Sequence, residues 1–288
     1  MTLLVTRPEP QASAWADSLR QAGVAAQALP LIAITAPPKP EEVTTLWQQL
    51  AHQHASMRAQ SQASTRVPMG APMRALMFVS PAAVDGFFRL RPEGHAWPHG
   101  ALATAPGPGT AQALLQAGAS AGLGTEQVIS PAADAEQFDS ETLWPLLAPL
   151  DWQGCRVTIV SGGDASGAQG RAWLTERWRE AGAEVDTVQS YQRGPGDWTP
   201  AQQTLAREAL SQPDTTWLLS SSQALDFLLD HHLPHLGSAH WQPARATELR
   251  VLCTHPRIAE HAATRGIQHI QRCAPTLDSV VQARRSPA

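Results

Sequence analysis

The chain has 288 residues, 43% of them hydrophobic and 16% charged, with a formal net charge of −4. That length exceeds one ordinary core and fits two domains of roughly 100 to 200 residues each. The composition excludes wholesale disorder, and the acidic balance gives no reason to expect nucleic acid, whose binders show a basic excess or stripe.

The N-terminus, MTLLVTRPEP, meets Arg7 and Pro8 after a few apolar residues, so it holds no signal-peptide core. No run approaches the ~20 apolar residues of a membrane span. The expected setting is cytoplasmic, with no membrane partner. Cys155, Cys253 and Cys273 are scattered and lack a CxxC pairing, which argues against a disulfide framework or a zinc site.

In chain order, LLVT (3–6) reads as a strand closed by RPEP. QASAWADSLRQAG then sets Ala12, Trp15, Ala16, Leu19 and Ala22 at helical spacing, with Gly23 as the stop. VAAQALPLIAI reads as a second extended run. The stretch 52–74, rich in Gln, Ser, Ala and Arg without an apolar period, reads as a solvent-exposed disordered insertion. LMFVSPAAVDGFF (76–88) is a strand and helix with Ser80 at the N-cap and Pro81 after it. ALATAPGPGTAQALLQAG (101–118) repeats the pattern, with Gly107 in the turn and Thr110 opening the helix.

The opening pattern recurs at 156–191. RVTIV is the strand, SGGDASGAQG the turn carrying Ser161 and Gly162, and RAWLTERWREAG the helix from Arg171 to Gly182. AEVDTVQSY follows as a strand. TWLLSSSQALDFLL (216–229) resembles LMFVSPAAVDGFF, setting Ser80 opposite Ser221 and Asp85 opposite Asp226, with Ser221 or Ser222 as cap. VLCTHPRIAEHAATRG (251–266) supplies the last such turn, with His255 and Arg257. HHLPH (231–235) reads as a solvated loop without a metal partner. Strands apolar on both faces, alternating with helices, predict an α/β protein of two similar halves, each a parallel sheet flanked by helices.

In such sheets ligands gather beyond the carboxyl ends of the strands, where helix N-termini present positive dipole ends and unpaired N–H groups. Arg7, Arg171 and Arg257 add full charges near three of those turns. The turns therefore suit a large polyanion, although each serine taken singly is also explained as a helix cap. GPGTAQ carries Gln112 where a dinucleotide loop needs its third glycine, and SGGDASGAQGR lacks the GK[ST] ending of a phosphate loop. Nucleotide use is therefore not expected. Tyr191, in VDTVQSYQRGPGDW, is the single tyrosine of the chain.

These segments together resemble the uroporphyrinogen-III synthase family over nearly the whole length. The resemblance rests on LLVTRPEPQASAWADSLRQAG…ALPLIAI, FVSPAAVDGFF, APGPGTAQALLQAG, GRAWLTERWREAGAEVDTVQSYQR and THPRIAEHAATRGIQHI…APTLDSVVQA. APGPGT departs from a VGxxT-type turn, with Ala105 for valine, and THPR replaces a more glycine-rich turn. The resemblance implies a flavodoxin-like pair of domains, one from residues 1–34 plus 194–288 and one from 39–187, joined by connector strands at 28–38 and 188–193. It implies action on hydroxymethylbilane, an eight-carboxylate linear tetrapyrrole, in a cleft and without a cofactor; a monomer is expected. The terminal hydroxyl is lost to an azafulvene, a spiro pyrrolenine forms, and reclosure inverts the last ring to give uroporphyrinogen III and water. It also implies Tyr191 as the proton donor to the departing hydroxyl. The plainer reading of Tyr191 is an amphipathic residue at a strand end. A binding module for an anionic metabolite, without chemistry, is the alternative function.

Overall fold

A computed structural model describes residues 2–62, 72–132, 140–163 and 168–285. The chain opens with β1 (Leu3–Val5), α1 (Gln11–Gln21), β2 (Ala26–Ala28) and β3 (Ala33–Thr35). It continues through α2 (Pro40–Gln62), β4 (Met73–Phe78), α3 (Pro81–Arg89), β5 (Leu102–Thr104) and α4 (Pro108–Gly118). Next come β6 (Val128–Ile129), α5 (Ser140–Leu147), β7 (Arg156–Gly163), α6 (Ala168–Glu180) and β8 (Glu184–Gly194). The last part holds α7 (Pro200–Ser211), β9 (Thr216–Leu219), α8 (Ser222–Phe227), β10 (Arg250–Cys253), α9 (Pro256–Thr264), β11 (His269–Arg272) and α10 (Leu277–Arg285).

Two compact units result, Met1–Ile34 with Arg193–Ala288, and Thr35–Gln192. The first is built on a sheet ordered β11-β10-β9-β1-β2, with every pairing parallel. Its three central strands, β10, β9 and β1, are buried on both faces. Leu3, Val5, Leu218 and Leu252 pack on one side with α1 residues Ala12, Ala16 and Leu19. Leu4, Trp217, Leu219, Val251 and Cys253 pack on the other with Ala224, Leu225 and Ala262. Period-2 side chains buried on both sides are what a helix-covered parallel sheet requires.

The second unit is built on a sheet ordered β3-β8-β7-β4-β5-β6. Ala75, Met77, Val157 and Ile159 pack with Trp152, Leu174 and Trp178. Phe78 packs instead with Phe87, Phe88 and Trp97, and Trp47 stacks on Phe87 at 4.6 Å.

Several sequence expectations are corrected. The run 24–35 is two strands in two different sheets, interrupted around Pro30, which has no N–H to give a ladder. The expected insertion at 52–74 is helical to Gln62 and extended from Met73, while 63–71 lie outside the described residues. Its Ala, Gln, Met and Arg content lacks a period but favours helix. Buried Gln53 gives Nε2–H to the Met73 carbonyl at 2.9 Å and accepts the Met73 N–H at 2.7 Å, standing in for a neighbouring strand. Ser161, Gly162 and Gly163, expected in a turn, complete β7. Thr110, expected to open its helix, lies inside one that begins at Pro108.

Helix α3 is held against β8. The Ser190 hydroxyl donates to the Ala83 carbonyl at 2.8 Å, and a Cβ on Gly86 would stand 2.1 Å from the Ser190 carbonyl oxygen. A glycine inside a nine-residue helix costs ~1 kcal/mol relative to alanine, so close approach explains it. Gly86→Ala should destabilise the second unit by about 1–3 kcal/mol, because rigid backbone rather than a flexible side chain must yield. Urea unfolding checks this: an unchanged or raised midpoint contradicts the close packing.

Candidate functional site

In the second unit, Tyr191 stands on β8 opposite Gly162, at the carboxyl end of β7. The pairing steps from Ser161↔Gln189 to Gly162↔Tyr191, leaving Ser190 as the extra residue of a bulge. Ser190 and Tyr191 are both buried, at 1% and 5% exposure, after Val188 and Gln189 have alternated buried and exposed. The ring lies against Gly162: a Cβ there would sit 2.3 Å from Tyr191 Cζ and 2.7 Å from the phenol oxygen.

The next strand across is β4, and its following turn brings Ser80 to the phenol. Ser80 Oγ and Tyr191 Oη are 3.3 Å apart. Ser80 is the N-cap of α3, its Oγ accepting the Ala83 N–H at 3.2 Å, with Pro81 in the first turn. One strand further, Gly107 caps α4 with extended backbone and no side chain. Thr110 is buried in that helix's first turn, its N–H donating to the Gly107 carbonyl at 3.2 Å. Ser161 is 4% exposed within β7. Arg171 belongs to α6, but its side chain lies outside the described residues, as do 164–167. The structure thus brings together Tyr191, Ser80 and Gly162, with the Gly107 turn further along the same sheet edge.

In the first unit, Arg7 follows β1. Its guanidinium lies 3.9 Å over the Trp15 ring, and partial burial lowers its pKa from the usual arginine value. Ser221 is the N-cap of α8 without a side-chain cap bond, and Ser222 is the first helical residue. His255 caps α9, its Nδ1 accepting the Arg257 N–H at 3.1 Å, and Arg257 is exposed. The repeat pairing of Ser80 with Ser221 is positional: both cap helices after central strands, yet only Ser80 uses its hydroxyl to do so. Asp226, noted in the sequence as a repeat partner, accepts from His261 and Arg265.

HHLPH is not the solvated loop expected. It closes a π-helical turn and opens a 3-10 turn. His232 is 2% exposed, stacks on Trp198 at 4.3 Å and points Nε2 at the Leu31 carbonyl at 3.0 Å; burial lowers its pKa. Among the described residues no group of three or more His, Cys, Asp or Glu could hold a metal ion. No described helix is long and apolar enough to cross a membrane. A cavity of about 430 Å³ opens at the amino ends of β9 to β11, lined by Trp217, Trp241, Arg250 and His269 and by none of the candidate residues.

No protein-family model matches the chain. Solved structures do match it. A mutant uroporphyrinogen III synthase from Thermus thermophilus aligns over 99% of this chain and 96% of its own, with a TM-score of 0.51 and 16% identity. Uroporphyrinogen-III synthetase from Helicobacter pylori aligns over 99% and 97%, with a TM-score of 0.52 and 12% identity. The chain has the uroporphyrinogen III synthase fold. Within this synthase fold the candidate residues follow the carboxyl-edge rule: Tyr191, Ser80, Gly107 and Gly162 at one sheet, Arg7, Ser221 and His255 at the other. Sequence reasoning missed Ser190 and Gly86 as the pieces that fix Tyr191. The signal available for Gly86 was a glycine inside an otherwise good helix; Ser190 offered none.

Proposed function

We propose that this chain is a uroporphyrinogen-III synthase, a lyase that closes hydroxymethylbilane with inversion of its terminal ring and releases water. The observation that carries the reading is the placement of the one tyrosine, enclosed at a sheet's carboxyl edge beside a helix N-cap, in a chain with the synthase fold. Tyr191 is the catalytic residue. A neutral phenol can donate its proton to a departing hydroxide, help typically worth ~10² to 10⁴ in rate. The hydroxyl leaves one end of the bilane and a hydrogen leaves the ring that closes. The phenol therefore ends the cycle as it began.

Backbone N–H groups at the Ser80–Pro81, Gly107–Thr110, Ser221–Ser222 and His255 turns, with Arg7, Arg171 and Arg257, bind the substrate's carboxylates. Ser161 and Gly162 complete the binding edge at β7. Their task is orientation, since the enzyme must select which carbon attacks. No cofactor is needed, and the protein works as a cytoplasmic monomer.

The test is to give purified protein freshly generated hydroxymethylbilane and separate the product isomers. Uroporphyrinogen III is the expected product. Isomer I alone, at the rate without enzyme, removes the reading and leaves a binding module for an anionic metabolite.

A further inference from the structure

We infer that the Ser80 side chain acts through Tyr191 as a positioning residue, keeping the phenol proton free for the substrate, while carboxylate binding at this turn is left to its backbone. This rests on the synthase reading above. Ser80 Oγ already accepts the Ala83 N–H at 3.2 Å, so its hydroxyl has its own proton to give. The nearest phenol oxygen, Tyr191 Oη, is 3.3 Å away. When Ser80 donates to Oη, the donors run in one direction: Ala83 amide to Ser80, Ser80 to Tyr191, Tyr191 to the leaving hydroxyl. Each donor polarises the next.

As the phenol proton passes to the leaving hydroxyl to form water, the negative charge left on Oη meets the Ser80 O–H. That group is itself tied to the positive end of a nine-residue helix. O–H···O⁻ bonds shorten to about 2.5–2.7 Å, so the ground-state separation leaves room for the bond to strengthen as charge develops. The phenolate regains a proton as the closing ring loses one. Ala83 supports both sides of this pair. Its N–H fixes Ser80, and its carbonyl accepts from Ser190, the chain neighbour of Tyr191.

Cap and proton donation can be separated by substitution. Ser80→Gly keeps the helix capped at a cost of a few tenths of a kcal/mol, but has no hydroxyl. Ser80→Asp caps as well as serine and, ionised, has no proton to give. With hydroxymethylbilane as substrate, both should lower kcat about 10- to 100-fold, what a hydrogen bond to a charged group supplies, with KM changed far less. Ser80→Thr, which retains the hydroxyl, should recover most of kcat. In a Tyr191→Phe background, Ser80→Gly should lower kcat no further. The inference is overturned if Ser80→Gly raises KM at intact kcat, or lowers kcat by the same factor with or without the phenol. The synthase reading survives either result, because wild-type protein still yields isomer III. A wild-type protein that yields none overturns both.

Discussion

Tyr191→Phe should lower turnover of hydroxymethylbilane by about 10²-fold or more while leaving the fold intact, since acid–base help is typically worth ~10² to 10⁴. Phenylalanine keeps the ring that packs on Gly162 and removes one oxygen. That oxygen has a single hydrogen-bond partner described, the Ser80 hydroxyl, which retains its Ala83 bond when the phenol is gone. The structural cost should therefore stay near the ~1 kcal/mol of an ordinary hydrogen bond. The measurement is kcat for formation of isomer III alongside a thermal melt. Wild-type kcat in this variant assigns the phenol to packing. A melt lowered by many degrees with kcat retained in the folded fraction does the same.

Gly162→Ala should reduce turnover by about as much as loss of the phenol, and should also destabilise the second unit by about 1–3 kcal/mol. The added methyl would sit 2.3 Å from Tyr191 Cζ, 2.5 Å from Cε2 and 2.7 Å from Oη. The contacted atoms are a buried ring held by a bulge, so the ring must swing away and give up Ser80. The backbone of Gly162 lies outside the left-handed region, so the methyl itself causes the loss. In a Tyr191→Phe background the same change should still lower the urea midpoint, because the ring carbons remain, yet lower kcat no further. Full activity in Gly162→Ala contradicts the close contact on which the placement of Tyr191 depends.

The fold class was legible because runs such as LLV, TWLL and RVTIV are apolar at consecutive positions. A strand covered on both faces needs that pattern, as Leu3 and Leu4 show by entering opposite cores. The caps were legible for a similarly local reason: Ser80 followed by Pro81 suits a helix start whatever surrounds it. Reading failed where tertiary neighbours outweigh local signals. His232 looked solvated in HHLPH, but the stack on Trp198 and the Leu31 carbonyl come from distant segments. The helix through Gln62 was missed because its second half shows no apolar stripe.

By itself the sequence determined the alternation of strand and helix, the two-faced burial, the capped turns and the presence of a single phenol. Each follows from side-chain chemistry within a few residues. The tertiary structure alone decided what the phenol touches. Register between strands far apart in sequence is set by the whole sheet, and one extra residue, Ser190, reverses which way the next side chain faces. That reversal lays Tyr191 on Gly162 and within reach of Ser80, and no local pattern encodes it.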